Sequence, residues 1–312
     1  MKILQNDTGV SQFKSMILLV LVLILAVLAG GCVPQPTKSV SPPVSPLLPP
    51  SPTSTQAATP TITPTLPWTD NGLVYVVVGL SPDQTLPMYQ EPSLTAGVTG
   101  HIPASGKSIR TTGIEIEADG ITWLQVGYQE SAGWVDRVYL ARQIGDIPEE
   151  LIALAHTIAS ALKTADYSHL EEFIHPELCL RFSPYPSLRA SDLVFCPEQL
   201  DGLLDSSTLY TWGRYDGSGE PIELSFEDYH RRFVYDQDFF QPEIVGLNQE
   251  VSSGNAINNI TEIFPDGMIV EYYFPGFDPQ YGGMDWRSLR MVFVQEKGGW
   301  FLVALVHGEW TI

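Results

Sequence analysis

Trp300-Phe-Leu-Val-Ala-Leu-Val-His307 decides how the C-terminal half of this chain must fold. Alternate residues of a strand face opposite sides, and here both sets are apolar: Trp300, Leu302, Ala304 and Val306 against Phe301, Val303 and Leu305. A strand buried on both faces needs cover on both, so helices must pack on one side of its sheet. Lys297-Gly-Gly299 joins it by a hairpin to a strand over Leu289 to Gln295. Two more strands are read over Ala256 to Glu262 and Met268 to Phe274.

The helices precede these strands. Asp146-Ile-Pro-Glu-Glu150 reads as a helix start, with Asp146 as the cap and Pro148 in the first turn. Leu151, Leu154, Ala155, Ile158 and Leu162 then form one apolar stripe at helical spacing. A second helix is expected from Ser168, boxed by Glu171, with Leu170, Phe173 and Ile174 inward. Ser225-Phe-Glu-Asp228 offers a third start, leading through Tyr229 and Phe233. Helices first and antiparallel strands last imply an α+β domain over residues 147–312. This order resembles the nuclear-transport-factor-2-like, cone-shaped α+β superfamily, whose curved sheet often holds a pocket at its mouth. That resemblance is architectural and carries no catalytic motif.

Residues 69–142 have a different texture. Val74-Tyr-Val-Val-Val-Gly79, Ser108-Ile-Arg-Thr-Thr112, Thr122-Trp-Leu-Gln-Val126 and Gly133-Trp-Val135 are short strand candidates between turn-forming clusters. Strands at this spacing with no helical period suggest a small all-β barrel. Leu86-Pro-Met-Tyr-Gln-Glu-Pro-Ser93, Gly100-His-Ile-Pro-Ala-Ser-Gly106 and Gly133-Trp-Val-Asp-Arg-Val-Tyr-Leu140 resemble, in order, the motifs of the bacterial SH3 (SH3b) domain. The first motif departs from the family at Tyr89 and Glu91, where Arg and Gly are usual. Members of that family often bind cell-wall peptide or other extracellular ligands. The resemblance therefore implies a groove lined by Tyr89, His101 and Trp123, with Trp123 and Trp134 as barrel core the plainer alternative. Only Ala141 to Ile147 joins this domain to the next.

Upstream, Lys2 and Lys14 precede an apolar run from Met16 to Ala29 that ends in Leu28-Ala-Gly-Gly-Cys32. The run sits at the lower limit of a membrane span and matches a signal-peptide core. Its end resembles the bacterial lipobox, with Ala29 where Leu is commoner. The resemblance implies removal of residues 1–31 and acylation of Cys32, which anchors the chain to the outer face of the cell membrane, in the bacterial envelope. Two or more acyl chains give durable attachment, at about 0.8 kcal/mol per buried methylene. Residues 32–68 then alternate Pro with Ser and Thr, as in Pro49-Pro-Ser-Pro-Thr-Ser-Thr55. Such composition cannot build a core and reads as a disordered, semi-rigid polyproline-II tether.

The formal charge of −20 makes nucleic acid and anionic lipid poor partners for the folded part. The bilayer, through the acyl anchor, and peptidoglycan or an envelope protein are the partners expected instead. Of three cysteines, Cys32 is assigned to the anchor. Cys179 and Cys196 then form either a disulfide, as exported chains favour, or two buried thiols. Arg181, Tyr185, Trp212, Arg287 and His307 lie in polar-aromatic phrases that could converge at the mouth of the α+β domain. There Arg181 or Arg287 could clamp a carboxylate, and His307 with Glu309, or His175 with Glu177, could move protons. The six histidines show no ligand spacing, and no phosphate loop or nucleophile elbow appears. No catalytic residue, metal or cofactor is therefore assigned. The leading expectation is a non-enzymatic binding or scaffold protein, with a small-ligand receptor or hydrolase in residues 147–312 as the alternative.

Overall fold

The computed structural model describes residues 73–252, 254 and 257–311. The expected signal segment and tether, with Cys32, and Ala256 at the start of an expected strand lie outside the described residues. The fold is mostly β, with a large mixed sheet and few helices.

Seven strands make the N-terminal module: β1 (Val74–Val77), β2 (Thr85–Tyr89), β3 (Val98–Pro103), β4 (Ile109–Ala118), β5 (Ile121–Tyr128), β6 (Ser131–Asp136) and β7 (Leu140–Gly145). They run in the order β3-β2-β6-β5-β4-β1-β7. Leu86, Met88, Ile102, Leu124, Val126 and Val135 fill its own core. Two helices follow, α1 (Glu149–Lys163) and α2 (Tyr167–Leu170), then β8 (Leu180–Ser183) and β9 (Leu193–Phe195). A separate hairpin, β10 (Tyr210–Arg214) with β11 (Pro221–Leu224), leads into α3 (Phe226–Phe233) and β12 (Ile244–Leu247). The chain closes with α4 (Ile260–Ile263), β13 (Met268–Phe274), β14 (Arg287–Glu296) and β15 (Gly299–Glu309).

The stretch expected to be a linker is a strand. β7 pairs antiparallel with β1 on one edge and parallel with β12 on the other, Arg142 to Gly145 matching Ile244 to Leu247. One sheet of 13 strands therefore runs through both modules. Core packing crosses the same line, because Val76, Val78 and Ala141 join the cluster that holds α1, Val245 and Leu247. The seam tolerates no extra atom at Gly145. That residue has φ +79°, and a Cβ there would lie 2.1 Å from the Leu247 carbonyl oxygen. Three polar contacts bind α1 and its approach to the first module. His156 Nδ1 donates to the Ala104 carbonyl at 3.0 Å, Ser105 donates to Glu149 at 2.8 Å, and Lys107 pairs with Asp146 at 2.6 Å.

Several local expectations are corrected. Asp146 does not cap α1, whose N-cap is Pro148 without a side-chain bond; its carboxylate is held by Lys107. The helix expected from Ser168 starts at Tyr167, because Asp166 accepts from the His169 N–H. The strand expected up to Glu262 is replaced by α4. The sheet is mixed rather than antiparallel, since β8 also pairs parallel with β15.

The last strand is buried on both faces, with one irregularity. Val292 pairs with Ala304 but Phe293 with Leu302, so Val303 is an extra residue. This bulge resets the alternation. Leu302 and Leu305 share the helix-side core with Leu289, Met291 and Phe293. Ala304 and Val306 face the other side with Val292 and Ile260. On the helix side Phe182, Phe226, Tyr229 and Phe233 pack around Trp212, whose ring stacks on Tyr229 at 3.7 Å. Cys179 and Cys196 are joined by a disulfide across the ends of β8 and β9.

Gly145→Ala should destabilise the protein by at least about 2 kcal/mol, combining positive-φ strain with a backbone clash. Gly120 has φ +76° and nothing within 4 Å, so Gly120→Ala should cost only about 1 kcal/mol. Thermal melts of the two variants give the comparison; equal losses would mean the seam is not tight.

Burial lowers the His156 pKa to about 4, against a weaker opposing effect of its bond to Ala104. Unfolded His156 takes up a proton near pH 6.5 while the folded side chain stays neutral. Stability is therefore full above pH 6.5 and falls as pH drops towards 4, by about 3 kcal/mol from this group. Burial lowers His230 to about 4 as well, so its effect adds in the same window. His156→Gln should flatten the fall in melting temperature between pH 7 and pH 4.5.

Candidate functional site

The bulge at Val303 places His307 and Glu309 on the helix side, at the far end of β15 from the hairpin. Arg287 stands directly opposite Glu309, and Leu289 opposite His307, so three polar side chains meet at one end of the sheet. α3 supplies the rest. Ser225 caps it by accepting from the Asp228 N–H, Arg232 lies on its last turn, and Asp236 follows it.

These residues form one charge net. Asp236 Oδ2 accepts from Arg287 Nε at 3.0 Å and from His307 Nε2 at 3.2 Å. Glu309 holds Arg232 at 2.6 Å and Arg287 at 3.4 Å, while Arg232 also lies over the Phe233 ring. Burial pushes the Asp236 carboxyl up, but His307, Arg287 and Arg232 outweigh it and leave the group below the ordinary carboxylate range. His307 is fully buried, with Phe233 edge-on to its ring and Nδ1 without a hydrogen-bond partner. Two guanidiniums and two carboxylates thus neutralise one another. The arrangement fixes β14 and β15 to the end of α3 and gives His307 no open path to a substrate. Of the residues singled out in the sequence, Arg287, His307 and Glu309 join this net, but His307 meets Asp236 rather than Glu309.

The others lie elsewhere. Arg181 Nη1 donates to the Arg189 carbonyl at 2.9 Å. Trp212 is fully buried and Tyr185 nearly so, correcting their reading as ligand contacts. They share a crevice of about 10 Å³ with Asp192 and Arg214, barely room for one water. In the first module Trp123 is also fully buried, donating Nε1–H to the Ala118 carbonyl at 3.2 Å, so it does not line a groove. Tyr89 packs edge-on against it at 5.5 Å, while His101 stays exposed beside Thr85. His175 Nε2 pairs with the Glu296 carboxylate, and its Nδ1 accepts from the Glu177 N–H at 3.1 Å rather than meeting the Glu177 side chain.

A second charge pair is buried on the opposite face. Arg290 lies 3.1 Å from Glu271, its cross-strand neighbour, and both are almost fully enclosed. Glu271 also accepts from the Val251 N–H at 2.8 Å and from Ser252, which holds residues 250–252 over the sheet. A lone Glu in Met268-Ile-Val-Glu-Tyr-Tyr-Phe274 is the signal that could have found it.

A concavity of about 570 Å³ lies where the modules meet. Thr122, Asp136, Arg137 and Val138 line it from the first module, and Gln241, Pro242 and Glu243 from the segment leading into β12. Among the described residues no group of His, Cys, Asp or Glu side chains is placed to hold a metal ion. No family model, curated protein or solved structure matches this chain.

Asp236→Ala should cost about 3–5 kcal/mol, since it strands Arg287 and His307 without their shared acceptor. Arg232→Ala, at the exposed rim, should cost under about 2 kcal/mol. Chemical denaturation of both variants tests the ranking, and a reversed order would contradict the geometry.

Proposed function

We propose that this chain is an extracytoplasmic lipoprotein, held by acylated Cys32 and a Pro-rich tether, that acts as a non-enzymatic binding module. The ligand belongs to the cell wall or to another envelope component. It engages the SH3-like module and the concavity that this module shares with the α+β part. The lipobox-like end of the signal segment supports the anchor, and the run of Pro, Ser and Thr supports the spacer.

The observation that carries the reading is the shared cleft of about 570 Å³, whose two walls come from different modules joined by β7 and β12. A binding surface of that kind exists only in the fused unit. The helix side of the sheet argues in the same direction, because large aromatics fill it and mutual ion pairs close its end. That leaves recognition at the surface as the use the geometry favours.

The described residues fall in one compact unit, and retention of a fragment of residues 63–312 on purified cell-wall sacculi is the test. The fragment should sediment with sacculi above a tag-only control. Val138, half-exposed in the cleft, provides the discriminating variant: Val138→Asp should abolish retention without changing the melting temperature. No retention of the parent fragment, or full retention of the variant, would end the proposal for this cleft.

A further inference from the structure

Nearly all the described aromatic side chains are buried or half-buried; those exposed are Phe277, Tyr281 and Trp310. They are gathered in one place. Phe277 and Tyr281 belong to the β13–β14 loop, Pro275 to Asp285, and Trp310 follows β15, which pairs with β14. Large apolar surface left in water at one spot marks a site of interaction rather than chance exposure.

The loop that carries them is tightly built. Asp285 Oδ2 accepts from the N–H groups of Phe277 at 3.0 Å and Asp278 at 2.8 Å. Asp278 accepts in turn from the Gln280 N–H at 2.9 Å. Gly282 and Gly283 both take positive φ, which lets the chain turn back beneath Tyr281. A rigid loop presents its rings without an ordering cost on binding.

Tyr281 and Trp310, with Met284, wall a cavity of about 230 Å³. Asp285, Arg287 and Glu309 supply its polar lining. Arg287 keeps a quarter of its side chain in solvent, and Asp285 Oδ1 has no hydrogen-bond partner. A second cavity of about 240 Å³ on the same loop is bordered by Phe277, Pro275 and Pro279. Each is small for a drug-sized ligand and suits a single ring.

We infer that this loop and Trp310 form a binding site for a neutral oligosaccharide. The chemistry selects that class. Aromatic faces offer apolar platforms for the C–H face of a pyranose ring. Carboxylates only accept hydrogen bonds and a guanidinium only donates them, and adjacent sugar hydroxyls answer both at once. The site's carboxylates lie close to its guanidinium in a chain of formal charge −20, which disfavours an anionic ligand. The polar lining disfavours a purely apolar one. No residue of the cleft at the module junction takes part, so this site stands or falls apart from the function proposed above.

The test uses the full chain in mild detergent, titrated with chitotetraose and with cellotetraose while tryptophan emission and heat are followed. At least one tetrasaccharide should bind. Tyr281→Ala and Trp310→Ala should each weaken it roughly tenfold, the scale of an interface anchor, with melting temperature unchanged. Val138→Asp should leave sugar binding as it is, which separates this site from the cleft. Absence of binding by both sugars, or equal binding by the aromatic variants, would overturn the assignment. So would perturbation of Trp310 by a proline-rich peptide but by neither sugar, since that would make the loop a peptide platform.

Discussion

Four backbone pairings between β7 and β12 hold this molecule in its observed form. They are parallel, and a parallel pair demands a long connection between its strands. Here the connection holds most of the described helices, from α1 through α3. The first module cannot be moved without breaking a sheet, and the sheet cannot be broken without opening the core that α1 shares with Val76 and Val78. The fit depends on having no side chain at Gly145, where β7 ends against the Leu247 carbonyl.

A second constraint acts a few strands away in the same sheet. One extra residue in β15, Val303, turns His307 and Glu309 towards the helices. Without that bulge both would face the side covered by α4, where Ala304 and Val306 pack against Ile260. Charge at a buried strand end is tolerable only when paired, and Asp236, Arg232 and Arg287 supply the partners. The same placement leaves Arg287 and Glu309 on the edge of the aromatic loop. Structural pairing and surface recognition thus meet at shared residues.

Much of this architecture was legible in residue patterns. The apolar stripe of α1, the cap at Ser225 and the doubly apolar β15 all follow from periodicity and capping chemistry. Strand β7 was not, because Ala141 to Ile147 is short and half polar, and only its partner β12 makes it a strand. The bulge at Val303 also left no local mark, since every residue around it is apolar. The site residues divide in the same way. Arg287 and His307 stand out as polar groups in apolar strands, whereas Asp236 gains its role from where α3 ends. Trp123 and Trp212 drew notice as aromatics, yet burial gives them packing duties. Phe277 and Tyr281 looked ordinary because exposure, not identity, distinguishes them.

The central claim is that the two modules open together, through the seam between β7 and β12. Native-state hydrogen exchange on the compact unit measures this most directly. Amides of Val77 in β1, Leu247 in β12 and Met291 in β14 should exchange with one common opening free energy, equal to that of global unfolding. If Val77 and its neighbours exchanged through a smaller opening while Met291 kept full protection, the modules would be independent and the account would fail.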